Sequence, residues 1–145
     1  TRLGFGKTDV IQMLNGCIGG LVAITAEPLM PSPIAAILIG AVGGVIVVYG
    51  TKLLFSLKID DVVGAIPAHL FAGVWGTLAV PITNPDTSFG AQLLGVVSIN
   101  AFVFVVSFIV WAIMKNTIGI RLSKEGELKG TDVTETGVIA YAIRD

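Results

Sequence analysis

Charge and chemically reactive side chains are both scarce in this sequence. Only 13% of its 145 residues are charged, against about a quarter in an ordinary soluble domain. The formal net charge is −1, so the basic excess that favours nucleic-acid binding is missing and no nucleic-acid partner is expected. The single cysteine, Cys17, excludes an internal disulfide and a cysteine-based metal site. It lies in an apolar run, where we interpret it as a small packing residue.

Apolar residues take the place of the missing charge. They make up 54% of the chain, and the mean hydropathy of +0.89 predicts an all-α membrane protein. A membrane-spanning helix needs about 20 mostly apolar residues, and four segments qualify: 9–26, 33–55, 62–80 and 89–118. A soluble tail, 119–145, follows them. The stretches EPLMPSP and PITNPDTS separate spans one from two and three from four, because proline removes a backbone donor.

The basic residues predict the orientation of these spans. All of them lie before span one, between the last turn of span two and the start of span three, or from the last turn of span four onward: Arg2, Lys7, Lys52, Lys58, Lys115, Arg121, Lys124, Lys129 and Arg144. EPLMPSP and PITNPDTS contain none. Because cytoplasmic loops carry the excess of lysine and arginine, we expect both ends of the chain, including the tail, to be cytoplasmic.

Small residues recur at helical spacing in the first three spans. Such stripes let membrane helices approach closely, so they predict tight helix contacts; generic membrane packing is the alternative interpretation. The stripes are Gly16 and Gly20; Ala36, Gly40 and Gly44; Ala68, Ala72 and Gly76; and, on a neighbouring face, Ala65, His69, Gly73 and Thr77.

The only histidine, His69, lies within the apolar third span. Ionisable residues at membrane depth usually face other helices or a cavity and belong to a transport path. A neutral imidazole offers one donor and one acceptor nitrogen, so it can bind a small N–H species or pass a proton. The other interpretation is a structural histidine bonded to a backbone carbonyl. Pro67 is expected to free a carbonyl of the preceding turn and to kink the span.

Two aspartates, Asp60 and Asp61, stand at the start of the third span. Acidic groups favour a helix N-terminus electrostatically, and this is one interpretation of the pair. In the other, Asp61 anchors the histidine-bearing helix by binding backbone donors of its first turn. No second histidine, cysteine or carboxylate lies one turn from His69, so a metal site is not predicted.

Four stretches resemble the ammonium transporter family (Amt/Mep/Rh). DDVVGAIPAHLFAGVWGTLA is similar to the family's histidine-bearing helix, with its paired aspartates, a histidine eight positions later, and then the Gly73 and Gly76 pair. NGCIGGLVAITA, which begins with Asn15 and Gly16, resembles an N-G-x-x-A-G-L-V-A-I-T-A helix, and IGAVGGVIVVYG resembles the next helix. TIGIRLSKEGELKGTDVTETGVIAY resembles the family's tail.

The resemblance implies an eleven-helix protein that forms a homotrimer with one hydrophobic pore in each subunit. This chain would be its last four transmembrane helices and its cytoplasmic tail, and its partners would be ammonium or ammonia and the lipid bilayer of the cell membrane. His69 resembles the second-half member of a histidine pair in the pore, and Asp61 the start of its helix. Leu70 stands where the family usually has glycine.

The tail carries its own motif residues. Gly130, Asp132 and Gly137 match the family's E-x-x-G-x-D and H-G-x-A-Y elements, and the resemblance implies a regulatory tail that can bind a cytoplasmic protein. Thr134 lies where some relatives carry a regulatory threonine; a solvated turn is the alternative. Thr131 and Thr136 replace a hydrophobic residue and a histidine of the family pattern.

Three functions are compatible with these features. The first is a channel or transporter for ammonium or ammonia, and the second is a membrane ammonium sensor built on the same fold. The third is an assembly module in which His69 is structural. No nucleophile–base pair or metal cluster is evident, so an enzyme and a cofactor are not predicted.

Overall fold

Helices account for all the regular structure in the part of the chain that the computed structural model describes, which is residues 6, 8–29 and 32–140. A π-helical segment, Ile66–Phe71, runs directly into the α-helix Ala72–Thr83, and we call the continuous stretch Ile66–Thr83 the histidine helix. A second π-helical turn, Asp132–Thr136, lies in the tail. The α-helices are α1 Val10–Ile24, α2 Pro33–Ser56, α3 Ala72–Thr83, α4 Phe89–Thr117 and α5 Lys124–Lys129.

Among the described residues, three helices are long and apolar enough to cross a membrane: α2, the histidine helix and α4. The first predicted span, 9–26, is shorter than expected because Asp9 caps α1 from outside, accepting the backbone N–H of Gln12 at 3.0 Å. α1 has 15 residues, or about 22 Å at 1.5 Å per residue. That α1 crosses the membrane stays a prediction.

The histidine helix is displaced relative to the predicted span of 62–80. It begins only at Ile66 because Gly64 has a φ of +73°, which is incompatible with a right-handed helix. It continues through Pro81 to Thr83, where we had expected the break. Proline lacks one N–H donor, and the turn that contains Pro81 is still closed by the bond from the Asn84 N–H to the Val80 carbonyl oxygen at 3.0 Å.

Within residues 1–99, which form one compact unit, the small-residue stripes of α1 and α2 meet each other. A Cβ atom on Gly20 would lie 3.1 Å from the carbonyl oxygen of Gly40, and one on Gly44 would lie 3.2 Å from that of Gly16. The helix backbones are therefore nearly in contact. The buried apolar residues beside this crossing form two clusters, one of Ala23, Ile39 and Ala79 and one of Val47, Ala68 and Ala72.

The histidine helix packs on α1 and α2 through the stripe that contains Ala68, Ala72 and Gly76, all of them buried. Gly76 lies directly against the backbone of Ala23. Gly73, on the neighbouring stripe, is looser, since a Cβ atom there would meet Val22 Cγ1 at 3.6 Å, an ordinary contact. The two motif glycines of the histidine helix thus have different packing roles.

No residue of α4 is buried in this chain. The second compact unit, residues 100–145, contains the end of α4, then α5 and the π-helical turn, which contact each other. An 18-residue window of α4 has a mean hydropathy of 2.6, as in a helix that is surrounded by lipid or by other protein.

Gly76→Ala is expected to destabilise the protein, because the added Cβ atom would come closer than 3.0 Å to the Ala23 carbonyl oxygen, and backbone cannot move aside cheaply. The expected loss is about 1–3 kcal/mol of unfolding free energy. Gly16→Ala is the control, since its Cβ atom would find only Gly44 oxygen at 3.9 Å. Thermal unfolding of the purified protein in detergent measures both; equal Tm values would contradict the packing described.

Candidate functional site

The carboxylate of Asp61 holds the start of the histidine helix. Its Oδ1 accepts the backbone N–H of Ala65, and its Oδ2 accepts that of Ile66, each at 2.9 Å. These are first-turn donors that have no helical acceptor. One side chain therefore satisfies two of them, and a charge-assisted bond to backbone N–H is stronger than a neutral one.

A side chain of another helix binds the backbone just before the histidine helix. Val63 precedes the turn at Gly64, so its carbonyl has no donor from the helix, and Pro67 lies in the first turn, where the missing N–H has no helical acceptor in any case. The Nδ2 atom of Asn15 on α1 donates to the Val63 carbonyl oxygen at 2.7 Å. Asn15 is buried, with 8% of its surface exposed. Gly64 allows this approach, because a Cβ atom there would collide with the Asn15 amide.

His69 lies in the middle of the π-helical segment and is exposed in this chain. Its Nδ1 atom lies 3.1 Å from the carbonyl oxygen of Ala65. A carbonyl oxygen only accepts, so this bond requires a proton on Nδ1, and Nε2 is then the acceptor of a neutral ring. A backbone carbonyl is the partner predicted by the interpretation of His69 as a structural residue. The ring also retains a second nitrogen, Nε2, with a free lone pair.

The face of the helix that carries His69 is turned away from α1 and α2. Ala65 is exposed like His69, whereas Gly73 and Thr77 are half-buried. That His69 faces other helices or a cavity stays a prediction, because the described helices do not cover it. Leu70, which replaces the family's glycine, is 43% exposed and does not crowd the packed face.

Two contacts of the histidine helix escaped the sequence analysis. Trp75 Nε1 donates to the Ile39 carbonyl oxygen of α2 at 3.0 Å; a half-buried tryptophan generally needs such an acceptor, but the sequence does not identify it. The other contact is the Asn15 bond to Val63, since the resemblance marked Asn15 only as a motif residue. Together they fix the helix against both α1 and α2.

In the tail, Asp132 organises the turn that follows α5. Its Oδ2 accepts the backbone N–H of Ala140 at 2.8 Å, and its carbonyl oxygen accepts the N–H of Val138 at 3.3 Å and the hydroxyl of Thr136. The glycines at both ends of the turn have positive φ, +104° at Gly130 and +70° at Gly137. The motif residues of the tail thus form one local hydrogen-bonded structure.

The Thr134 hydroxyl connects this turn to α5, and an ion pair connects α5 to the chain before it. The Thr134 hydroxyl donates to the Gly126 carbonyl oxygen at 3.3 Å, although the residue is exposed. Arg121 Nε pairs with Glu127 at 2.6 Å on the surface, where such pairs contribute little to stability.

The hydrogen bonds of Asp132 also change its ionisation. Bonds from backbone N–H groups, chiefly that of Ala140, lower the pKa of the Asp132 carboxyl.

Comparison with known proteins gives one consistent family. The model of the Ammonium Transporter Family matches residues 1–141. Ammonium transporter Amt2 of Archaeoglobus fulgidus is 37% identical, over 97% of this chain and 34% of its own length. The putative ammonium transporter sll1017 of Synechocystis is 41% identical over 90% of this chain and 30% of its own. The ammonium transporter of Bacillus subtilis is 32% identical over 93% and 37%. The chain thus spans about a third of the length of these relatives.

Asp61→Ala is expected to loosen the start of the histidine helix, because it leaves two backbone donors without their acceptor. We expect the free energy of unfolding to fall by about 1–3 kcal/mol, and hydrogen exchange at the Ala65 and Ile66 amides to accelerate. Asp60→Ala is the control: Asp60 is exposed, and a change within about 0.5 kcal/mol is expected. Equal exchange rates in the two variants would show that Asp61 is not the cap.

Acidification is expected to release the tail turn. Because the pKa of Asp132 is lowered in the folded tail, its bonds contribute fully above the ordinary aspartate value of about 3.9 and are lost as the pH falls through the lower, folded value. The amide proton shift of Ala140, followed by NMR, should report this transition. Asp132→Asn should abolish it and Glu135→Gln should not; a titration that survives Asp132→Asn would contradict the assignment.

Proposed function

The chain belongs to the ammonium transporter family, and from this membership we propose that it is the C-terminal part of a protein that conducts ammonium or ammonia across a membrane. The observation that carries the proposal is His69, the only histidine of the chain, which lies in the first turn of an apolar helix of spanning length, Ile66–Thr83. The relatives that match most of this chain are named as ammonium transporters or putative ammonium transporters.

The geometry of the ring supports a role in conduction. With Nδ1 bonded to the Ala65 carbonyl, the Nε2 lone pair is left for a partner outside the described helices. It can accept an N–H of ammonia or take up a proton from ammonium. The rest of the histidine face is small or apolar, so a neutral molecule meets few competing polar groups along it. This combination is expected of a hydrophobic conduit whose lining contains one hydrogen-bonding group.

The opposite wall of the conduit must come from elsewhere in the protein. The chain spans about a third of the length of its relatives, and the residues that the structure describes bury neither His69 nor any residue of α4. We therefore propose that these residues are the last helices of a longer transporter, assembled as a homotrimer in the cell membrane with a cytoplasmic tail that can bind a regulatory protein. Transport is preferred to sensing because the relatives' names describe transporters.

His69→Ala in the complete protein is expected to reduce ammonium-driven flux in proteoliposomes by about a hundredfold, the order for losing a positioned proton-transfer group. Both the current and the luminal pH should be recorded, so that charged and neutral passage are each detected. Leu70→Ala is the matched variant, since it removes the next, exposed side chain without changing any hydrogen-bonding group.

Two further results bear on the proposal. Unchanged flux in His69→Ala would retain transport but make the histidine structural. The 145-residue chain alone should give no flux, because it supplies only one wall of the conduit; flux from this chain by itself would refute the proposal that the rest of the protein completes the pore.

A further inference from the structure

We propose that Asn15 is a positioning residue for His69: it holds the backbone from which the ring takes its orientation. The inference rests on the proposed function only in giving His69 a role in conduction. The relation between the two residues is a matter of geometry and can be tested separately. Asn15 is on α1, 48 positions from its partner Val63, so the link joins distant parts of the sequence.

The Val63 carbonyl stands just before the histidine helix and has no helical donor. The helix begins only at Ile66, after the turn at Gly64, whose φ is +73°. The bond that this carbonyl accepts from Asn15 is partly buried. A backbone carbonyl that is removed from water without a partner is unfavourable, so a side-chain donor at this position stabilises the turn.

Asn15 is well suited to be this donor. Its amide is 2.7 Å from the Val63 oxygen, which is a short bond for an N–H donor. One turn later on α1, Gly19 is pressed against Val47 and the Gly43 carbonyl of α2. The amide is thus presented by a helix whose backbone is held by close packing, and Gly64 leaves the space that it occupies.

The Asn15 bond is connected to the His69 ring through the turn at Gly64. Val63 and Gly64 immediately precede Ala65, whose N–H is held by Asp61 and whose carbonyl lies within hydrogen-bond distance of His69 Nδ1. Asn15 and Asp61 therefore fix the peptides on both sides of Gly64, a residue whose backbone would otherwise be free to rotate. If the Asn15 bond is lost, the turn at Gly64 can rotate, and only Asp61, through the Ile66 N–H, still holds the peptide whose carbonyl oxygen faces Nδ1.

A purely structural tie would have different consequences. It would stabilise the contact between α1 and the histidine helix without affecting which ring nitrogen carries the proton. The Trp75 bond to the Ile39 carbonyl provides the comparison, because it also ties the histidine helix to a neighbour but lies beyond the π-helical segment. Trp75→Phe removes that bond and keeps an aromatic ring.

The experiment uses the complete protein with ¹⁵N-labelled histidine, in which the His69 signals are assigned by their loss in His69→Ala. The nitrogen chemical shifts distinguish a ring protonated on Nδ1 from one protonated on Nε2. In the unaltered protein we expect the Nδ1-protonated form. Asn15→Leu, close in shape but without the amide, should lose that form as the main species, whereas Trp75→Phe should retain it.

Ammonium flux is measured on the same samples. Asn15→Leu should reduce it by about tenfold to a hundredfold, the range for a reacting group that is displaced but present. If Asn15→Leu does not fold, Gly64→Ala replaces it, because the added Cβ atom displaces the amide while Asn15 remains; the same change in the ring is expected.

The proposal is overturned if Asn15→Leu, or Gly64→Ala in its place, leaves the Nδ1-protonated form intact. It is also overturned if Trp75→Phe shifts the ring equally, since loss of any tie would then suffice. A shifted ring in Asn15→Leu alone supports the positioning role, even if His69→Ala leaves flux unchanged. In that last case the proposed function fails and the positioning relation stands.

Discussion

The requirement that every buried backbone N–H and carbonyl find a partner governs the histidine helix. In lipid this requirement is severe, because no water is present to bind an exposed polar group. At the start of this helix the Val63 carbonyl is bonded to Asn15, and the Ala65 and Ile66 N–H groups are bonded to Asp61. Side chains from two parts of the sequence thus supply the partners that a helix end does not supply itself.

The His69 ring meets the same requirement through the backbone of its own helix. Its Nδ1 atom lies 3.1 Å from the carbonyl oxygen four residues back, that of Ala65. The Thr77 hydroxyl donates in the same way to the Gly73 carbonyl oxygen. The helix backbone therefore gives the ring a partner without adding another polar side chain to an apolar helix.

Sequence patterns predicted much of this arrangement but not its pairings. The apolar runs and small-residue stripes indicated the long helices and their tight contacts, and His69 and Asp61 are conspicuous as ionisable groups in or beside such a run. The start of the histidine helix was misplaced because the conformation of Gly64 depends on Asn15 and Asp61 together. Spacing along the chain cannot reveal the Asn15–Val63 or Trp75–Ile39 bonds, since each forms only after helices distant in sequence have packed.

One face of the histidine helix packs against the neighbouring helices, and another face carries the reactive side chain. Ala68, Ala72 and Gly76 are buried against α1 and α2, and closely packed backbones give that face little freedom to move. His69 is on the neighbouring stripe and is exposed, and among the described residues the hydrogen-bond partner of its ring is the Ala65 carbonyl. The rigid, packed face of the helix therefore supports the His69 ring, and the orientation of that ring depends on one hydrogen bond to the backbone. Changes at the packed glycines should reach the histidine chiefly through the turn that Asn15 and Asp61 hold.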